Sequence, residues 1–169
     1  MRVKKTTVRI LGLDPGLRHT GWGLIQVCGN MVKPLAHGTV HTDANLSLAE
    51  RLNTLYQGLT SVIQEYRPDE AVVEETFVNM NPTSTLKLGM ARGVVLLAPA
   101  SYNVPVFEYS TNKIKKSVVG VGHATKTQVL MMVQRLLPTL QSTLKPDAAD
   151  ALGAALCHAH HREMLKYVN

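Results

Sequence analysis

Twelve acidic residues, two cysteines and two phenylalanines in 169 residues leave little material for several common kinds of chemistry. Cys28 and Cys157 are too few and too far apart for a disulfide framework or a zinc cluster, and they read as two buried or half-buried thiols in a reducing cytoplasm. No apolar run reaches the roughly 18 residues that crossing a bilayer requires. Met1 to Thr7 is basic but lacks the apolar segment of a secretory signal. No internal repeat or low-complexity tract is present. No serine–histidine or cysteine–histidine pairing suggests nucleophilic catalysis, and His158, His160 and His161 fall late in a helical pattern, where a capping or surface role is expected.

What is present is an excess of positive charge, 18 Lys and Arg against 12 Asp and Glu, or +6. A basic domain with 45% hydrophobic and 18% charged residues is globular and suits a polyanionic partner such as nucleic acid. The length suits one domain, residues 1–169, with a basic extension over 1–7.

The apolar pattern predicts an order of elements. Val8–Leu13, Gly21–Val27 and Leu35–Thr42 read as three strands. Short glycine-bearing connections make them an antiparallel meander, and the first is apolar enough to be central. Ser47 and Glu50 have capping-box spacing and start a long helix, which Arg67-Pro68 stops. Glu70–Glu74 is a fourth strand and Thr83–Ala98 a second helix. Val104–Glu108 is a fifth strand, placed near an edge by Pro105. Helices follow from Ser110-Thr111-Asn112 to Val119, from Thr125 to Leu137, and from Pro146 to about Lys166. Three meandering strands followed by alternating helix and strand predict an α/β fold. Its five-stranded mixed sheet would be flanked by helices on both faces, and the long helix after the third strand would make a right-handed crossover. This order resembles that of the ribonuclease-H-like folds.

Because acids are scarce, those in apolar settings stand out. Asp14 ends the first strand before the turn pair Pro15-Gly16, as either a turn former or a ligand at the sheet's end. Glu74 and Glu75 end the fourth strand, and alternation lets only one of them face the Asp14 side. Asp147 and Asp150 share one face of the last helix, in its first turn, where acids also simply stabilise a helix dipole. Their small apolar neighbours Ala148, Ala149, Ala151 and Gly153 suggest close packing on the sheet. Four clustered carboxylates repel one another and need a counterion. Hard oxygen donors select Mg²⁺ or Mn²⁺, and two such ions could serve phosphodiester hydrolysis. Phe77 is either a core aromatic or a base-stacking wedge. Lys113, Lys115, Lys116 and Lys126 are either a solvated face or a grip on phosphates.

Taken together, Ile10-Leu11-Gly12-Leu13-Asp14-Pro15-Gly16 with Thr20-Gly21-Trp22-Gly23, Glu74 with Phe77 and Asn81, Leu86 to Gly93, Pro105 to Tyr109, Lys115 with Val118-Val119-Gly120, and Asp147 to Leu152 form an ordered series over residues 10–152. The series resembles the crossover junction endodeoxyribonuclease RuvC family. The resemblance implies a bacterial, cytoplasmic, nucleoid-associated homodimer acting in DNA recombination and repair. Such an enzyme binds four-way junctions, makes paired symmetrical nicks with divalent metal, and acts with the branch-migration proteins RuvA and RuvB. It implies Asp14, Glu74, Asp147 and Asp150 as the catalytic and metal-binding acids, choosing Glu74 over Glu75. It also implies Phe77 as the stacking aromatic, Lys115 and Lys126 as DNA contacts, and the helix bearing Leu86 to Gly93 as the dimer interface. One departure is Val78-Asn79-Met80-Asn81, which has no basic residue where relatives often carry one. The alternatives are another ribonuclease-H-like nuclease or a junction-binding module that does not cut. A sugar kinase or actin-like ATPase would need a second such domain.

Overall fold

The computed structural model describes residues 7–75, 80–140 and 143–165, with side chains to 162. Five strands run in the order β3-β2-β1-β4-β5. They are β1 (Thr7–Asp14), β2 (His19–Cys28), β3 (Met31–His41), β4 (Glu70–Glu75) and β5 (Val106–Ser110). β1 pairs antiparallel with β2, and β2 with β3. β4 pairs parallel with both β1 and β5. The mixed sheet with β1 at its centre is as the sequence predicts. Helices α1 (Leu48–Tyr66) and α2 (Pro82–Ser101) are built on one side, and α3 (Thr111–Val119), α4 (Lys126–Leu136) and α5 (Pro146–Leu165) on the other.

Strand alternation creates the two faces. Ile10, Ile25 and Val72 pack against α3, α4 and α5, while Leu11, Leu13, Leu24 and Val73 pack against α1 and α2. The α1 start forms as its spacing dictates: Glu50 N donates to Ser47 Oγ at 3.2 Å and Ser47 N donates to Glu50 Oε2 at 2.9 Å. Arg67 ends α1 with φ of 47°, its N–H bonded to the Ile63 carbonyl at 2.8 Å.

Three strands differ from the sequence pattern, β2 by beginning at His19, two residues earlier than predicted. β5 begins two residues later than predicted and ends at Ser110. Pro105 has no N–H to give the ladder, although its carbonyl accepts from Ala71 N at 2.9 Å. β3 begins at Met31 and includes Pro34, which an outer strand tolerates, and the register shifts where Leu24 gives way to Ile25.

Helix α5 lies directly on β1 and β2 because glycine removes the intervening side chains. A Cβ at Gly12 would collide with the carbonyl oxygen of Ala151, and one at Gly21 with that of Asp147. The first turn of α5, which holds Asp147, is therefore laid against Gly21, the β2 partner of Asp14, while Asp150 follows just beyond that turn and not within it as the sequence suggests.

Candidate carboxylate site for metal and phosphate

Asp14 is the last residue of β1, and its neighbouring turn is fastened by the buried Thr20. Thr20 Oγ1 donates to the Gly16 carbonyl at 2.6 Å and accepts from Gly16 N at 3.2 Å. Parallel pairing of β1 with β4 brings Glu74 beside Asp14, close enough that the charge of Glu74 acts on the Asp14 carboxyl. Asp150 reaches the same cleft from α5. The cleft, of about 120 Å³, is lined by Asp14, Glu74, Asp150, Thr111, Lys115 and Lys126 together with Ile114 and Val129. Asp147 is not in the lining, but its charge acts on Asp14, Asp150 and Lys126.

The electrostatics follow from burial and like charge. Desolvation, and then the charges of Glu74 and Asp150, push the Asp14 carboxyl from 3.8 up to about 8. Burial also raises Glu74, against a hydrogen bond from Thr111, and raises Asp150, against the charge of Lys126. Lys126 Nζ lies 3.5 Å from Asp150 Oδ2. A cation in the first turn of a helix opposes the helix dipole, so the position of Lys126 in α4 is compensated by the carboxylates it faces.

Among the described residues, no three His, Cys, Asp or Glu side chains form a group that could hold a metal ion as they stand. The donor set nevertheless fits a hard divalent cation. It consists of carboxylate oxygens whose raised proton affinities record more negative charge than the cleft can solvate.

The expected DNA-contacting residues are placed unequally. Lys115 and Lys126 border the carboxylates. Lys113 is exposed, with Nζ over the Tyr109 ring at 4.6 Å, and Lys116 is exposed in the last turn of α3. Phe77 lies outside the described residues.

Sequence reasoning missed Thr111, whose Oγ1 donates to Glu74 Oε1 at 2.6 Å. Its only sequence signal was membership of a helix-capping run. The surface role expected for the late histidines is corrected for His158, which is fully buried. Its Nδ1 lies 2.9 Å from Tyr109 Oη and its Nε2 2.8 Å from Glu70 Oε2, and Phe107 stacks on its ring. Arg162 Nε completes the group on Glu70 at 2.7 Å. These contacts tie α5 to β4 and β5, a use of polar residues visible only once the strands are adjacent. His160 is exposed and His161 half-buried, while Cys28 is half-buried and Cys157 buried, as expected for the thiols.

The family profile described as crossover junction endodeoxyribonuclease RuvC matches residues 10–158. The chain is 60% identical over 159 residues to the crossover junction endodeoxyribonuclease RuvC of Granulibacter bethesdensis, covering 94% of this chain and 88% of that protein. It is 59% identical to the protein of the same name from Paramagnetospirillum magneticum, covering 92% and 93%. Its fold is similar to that of Thermus thermophilus RuvC in complex with Holliday junction substrate, with a TM-score of 0.85 and 32% identity, over 93% of this chain and 96% of that one.

Proposed function

The chain belongs to the crossover junction endodeoxyribonuclease RuvC family, and from that premise we propose that it cuts four-way DNA junctions using Asp14, Glu74, Asp147 and Asp150 as ligands of divalent metal. The observation that carries the assignment is the convergence of Asp14, Glu74 and Asp150 in one cleft, with Asp14 pushed up to about 8. Such a cleft is costly to keep charged, and a divalent cation replaces the proton as counterion.

Bound there, Mg²⁺ or Mn²⁺, as two ions per protomer, supplies water activation and charge stabilisation for phosphodiester hydrolysis. The chain's own residues do the rest. Asp14 and Glu74 present oxygens from adjacent strand ends, and α5 adds Asp150 and Asp147 from one helical face. Lys115 and Lys126 attract the scissile phosphate to carboxylates that would otherwise repel it. Lys113 and Lys116 extend the positive surface along α3, and Phe77 is assigned to stacking on a base at the junction centre.

One nuclease domain holds this machinery, and a dimer would present it twice. Leu86, Met90 and Leu97 of α2 are 61%, 39% and 56% exposed, and with Gly93 they lie on one helical stripe. Gly89 and Gly93 have open space where a side chain would stand, which suits close approach of a second copy. Two symmetry-related sites fit paired nicks in opposed strands. RuvA and RuvB are the proposed partners in branch migration, with the nucleoid as the place of action. No helix among the described residues is long and apolar enough to cross a membrane.

Replacing Asp14 or Asp150 with Asn tests the site. Each variant is expected to bind junctions but to lose on the order of 10²–10³-fold in cleavage rate, the equivalent of the several kcal/mol that metal-ion stabilisation supplies. Cleavage at the wild-type rate by either variant would remove that residue from the machinery.

A further inference from the structure

The end of β4 offers two adjacent glutamates, and only Glu74 lines the cleft. What holds it there comes from another element. Thr111 Oγ1 donates to Glu74 Oε1 at 2.6 Å, within the range of a short charge-assisted bond. The same hydroxyl lies 3.3 Å from the carbonyl oxygen of Glu75. Having one hydrogen, it gives the strong bond to the Glu74 side chain and a weaker, shared contact to the Glu75 backbone.

Thr111 is itself well fixed. It is the first residue of α3, directly after the N-cap Ser110, whose Oγ accepts from Lys113 N at 3.3 Å. Ser110 is the β5 partner of Glu75 in the parallel ladder. A β-branched side chain at such a site has few χ1 choices, and the hydroxyl's contacts to Glu74 and Glu75 hold the one seen. Glu74 is the opposite case, because a glutamate has three torsions to order and loses correspondingly more entropy on becoming a ligand.

We propose that Thr111 is a positioning residue, whose hydroxyl holds Glu74 in the cleft in the orientation a divalent cation requires. This rests on the reading of the acids as metal ligands. It also gives α3 a second task. The helix that carries Lys113, Lys115 and Lys116 is anchored through Thr111 to a ligand carboxylate, so the cationic surface and the metal site keep one register.

The test is direct titration of Mn²⁺ into metal-free, DNA-free protein, with the free ion followed by electron paramagnetic resonance. Outer contacts to metal ligands are commonly worth 10–100-fold in affinity, so Thr111→Val is expected to weaken Mn²⁺ binding by about 10-fold. Thr111→Ser, which restores the hydroxyl, should return near the wild-type curve. In a Glu74→Ala background, Thr111→Val should change Mn²⁺ binding no further, since the hydroxyl acts only through Glu74. Junction binding in EDTA should be unaltered by Thr111→Val, which a general loosening of the fold would not permit. Should the valine variant fail to fold, Thr111→Ala read against Thr111→Ser carries the same comparison. Wild-type Mn²⁺ affinity in the hydroxyl-free variant, or an equal loss in the Glu74→Ala background, overturns the assignment. If the wild type takes up no Mn²⁺, the metal-site reading falls and the role of Thr111 with it. If it binds Mn²⁺ but never cuts a junction, the proposed function alone falls.

Discussion

Asp14→Asn should make the metal-free protein more stable while disabling it, and the size of the gain should depend on pH. The Asp14 carboxyl titrates near 8 in the folded chain against an ordinary 3.8. A carboxyl whose folded value is raised binds its proton more tightly when folded. Its stabilising contribution is complete below about pH 4 and is lost as pH rises toward about 8. Four units correspond to ~5.5 kcal/mol at 1.36 kcal/mol per unit. Burial is the larger cause of the shift, and the repulsion by Glu74 and Asp150 that adds to it is shared with those acids, so the cost assignable to Asp14 is about 3 kcal/mol at pH 8 and about 1 kcal/mol at pH 5.5. Asparagine carries no charge and avoids the cost at both values. In a domain of this size 1 kcal/mol moves Tm by roughly 2–4 °C. Thermal unfolding in EDTA, followed by far-UV circular dichroism, should place the variant about 6–12 °C above wild type at pH 8 and only about 2–4 °C above it at pH 5.5. A variant less stable than wild type at pH 8, or a gain independent of pH, would refute the account of the cleft as a charge-stressed site.

Two other perturbations address different parts of the structure. Gly12→Ala sets a methyl group against the carbonyl oxygen of Ala151, so α5 must lift from the sheet. A loss of about 3 kcal/mol or more is expected in urea denaturation, at the upper end of overpacking costs. Lys126→Ala removes the cation that faces the largely buried Asp150, so stability near neutral pH should fall by about 1 kcal/mol or more. Its junction affinity should fall, and the slope of log affinity against log salt should shrink by about 0.9, because one phosphate fewer is neutralised.

Much of this architecture was legible in the sequence because it is local. The Ser47–Glu50 box, the apolar run before Asp14 and the proline stops are written in adjacent residues, and they set the element order. The placement of Asp14 at a sheet end follows from the same pattern. Other features depend on partners far along the chain. Glu74 and Glu75 are equivalent to any rule of alternation until Thr111, from the start of α3, bonds one of them. Gly12 and Gly21 look like ordinary strand glycines, and only the approach of the α5 backbone explains them. His158 sits in a run of histidines near a helix end, where exposure is the natural expectation. Its burial depends on Glu70, Phe107 and Tyr109, which two strands supply. β5 was displaced by two residues because the missing donor of Pro105 outweighs the apolar pattern that suggested its start.

The measurement closest to the central claim is cleavage of a mobile four-way DNA junction by the wild-type protein with Mg²⁺, mapped on all four strands beside a linear duplex of the same sequence. The account predicts paired nicks, symmetrically placed in two opposed strands of the junction, with the duplex left intact. Binding of the junction without cleavage in either Mg²⁺ or Mn²⁺ would contradict it and leave a binding module in its place.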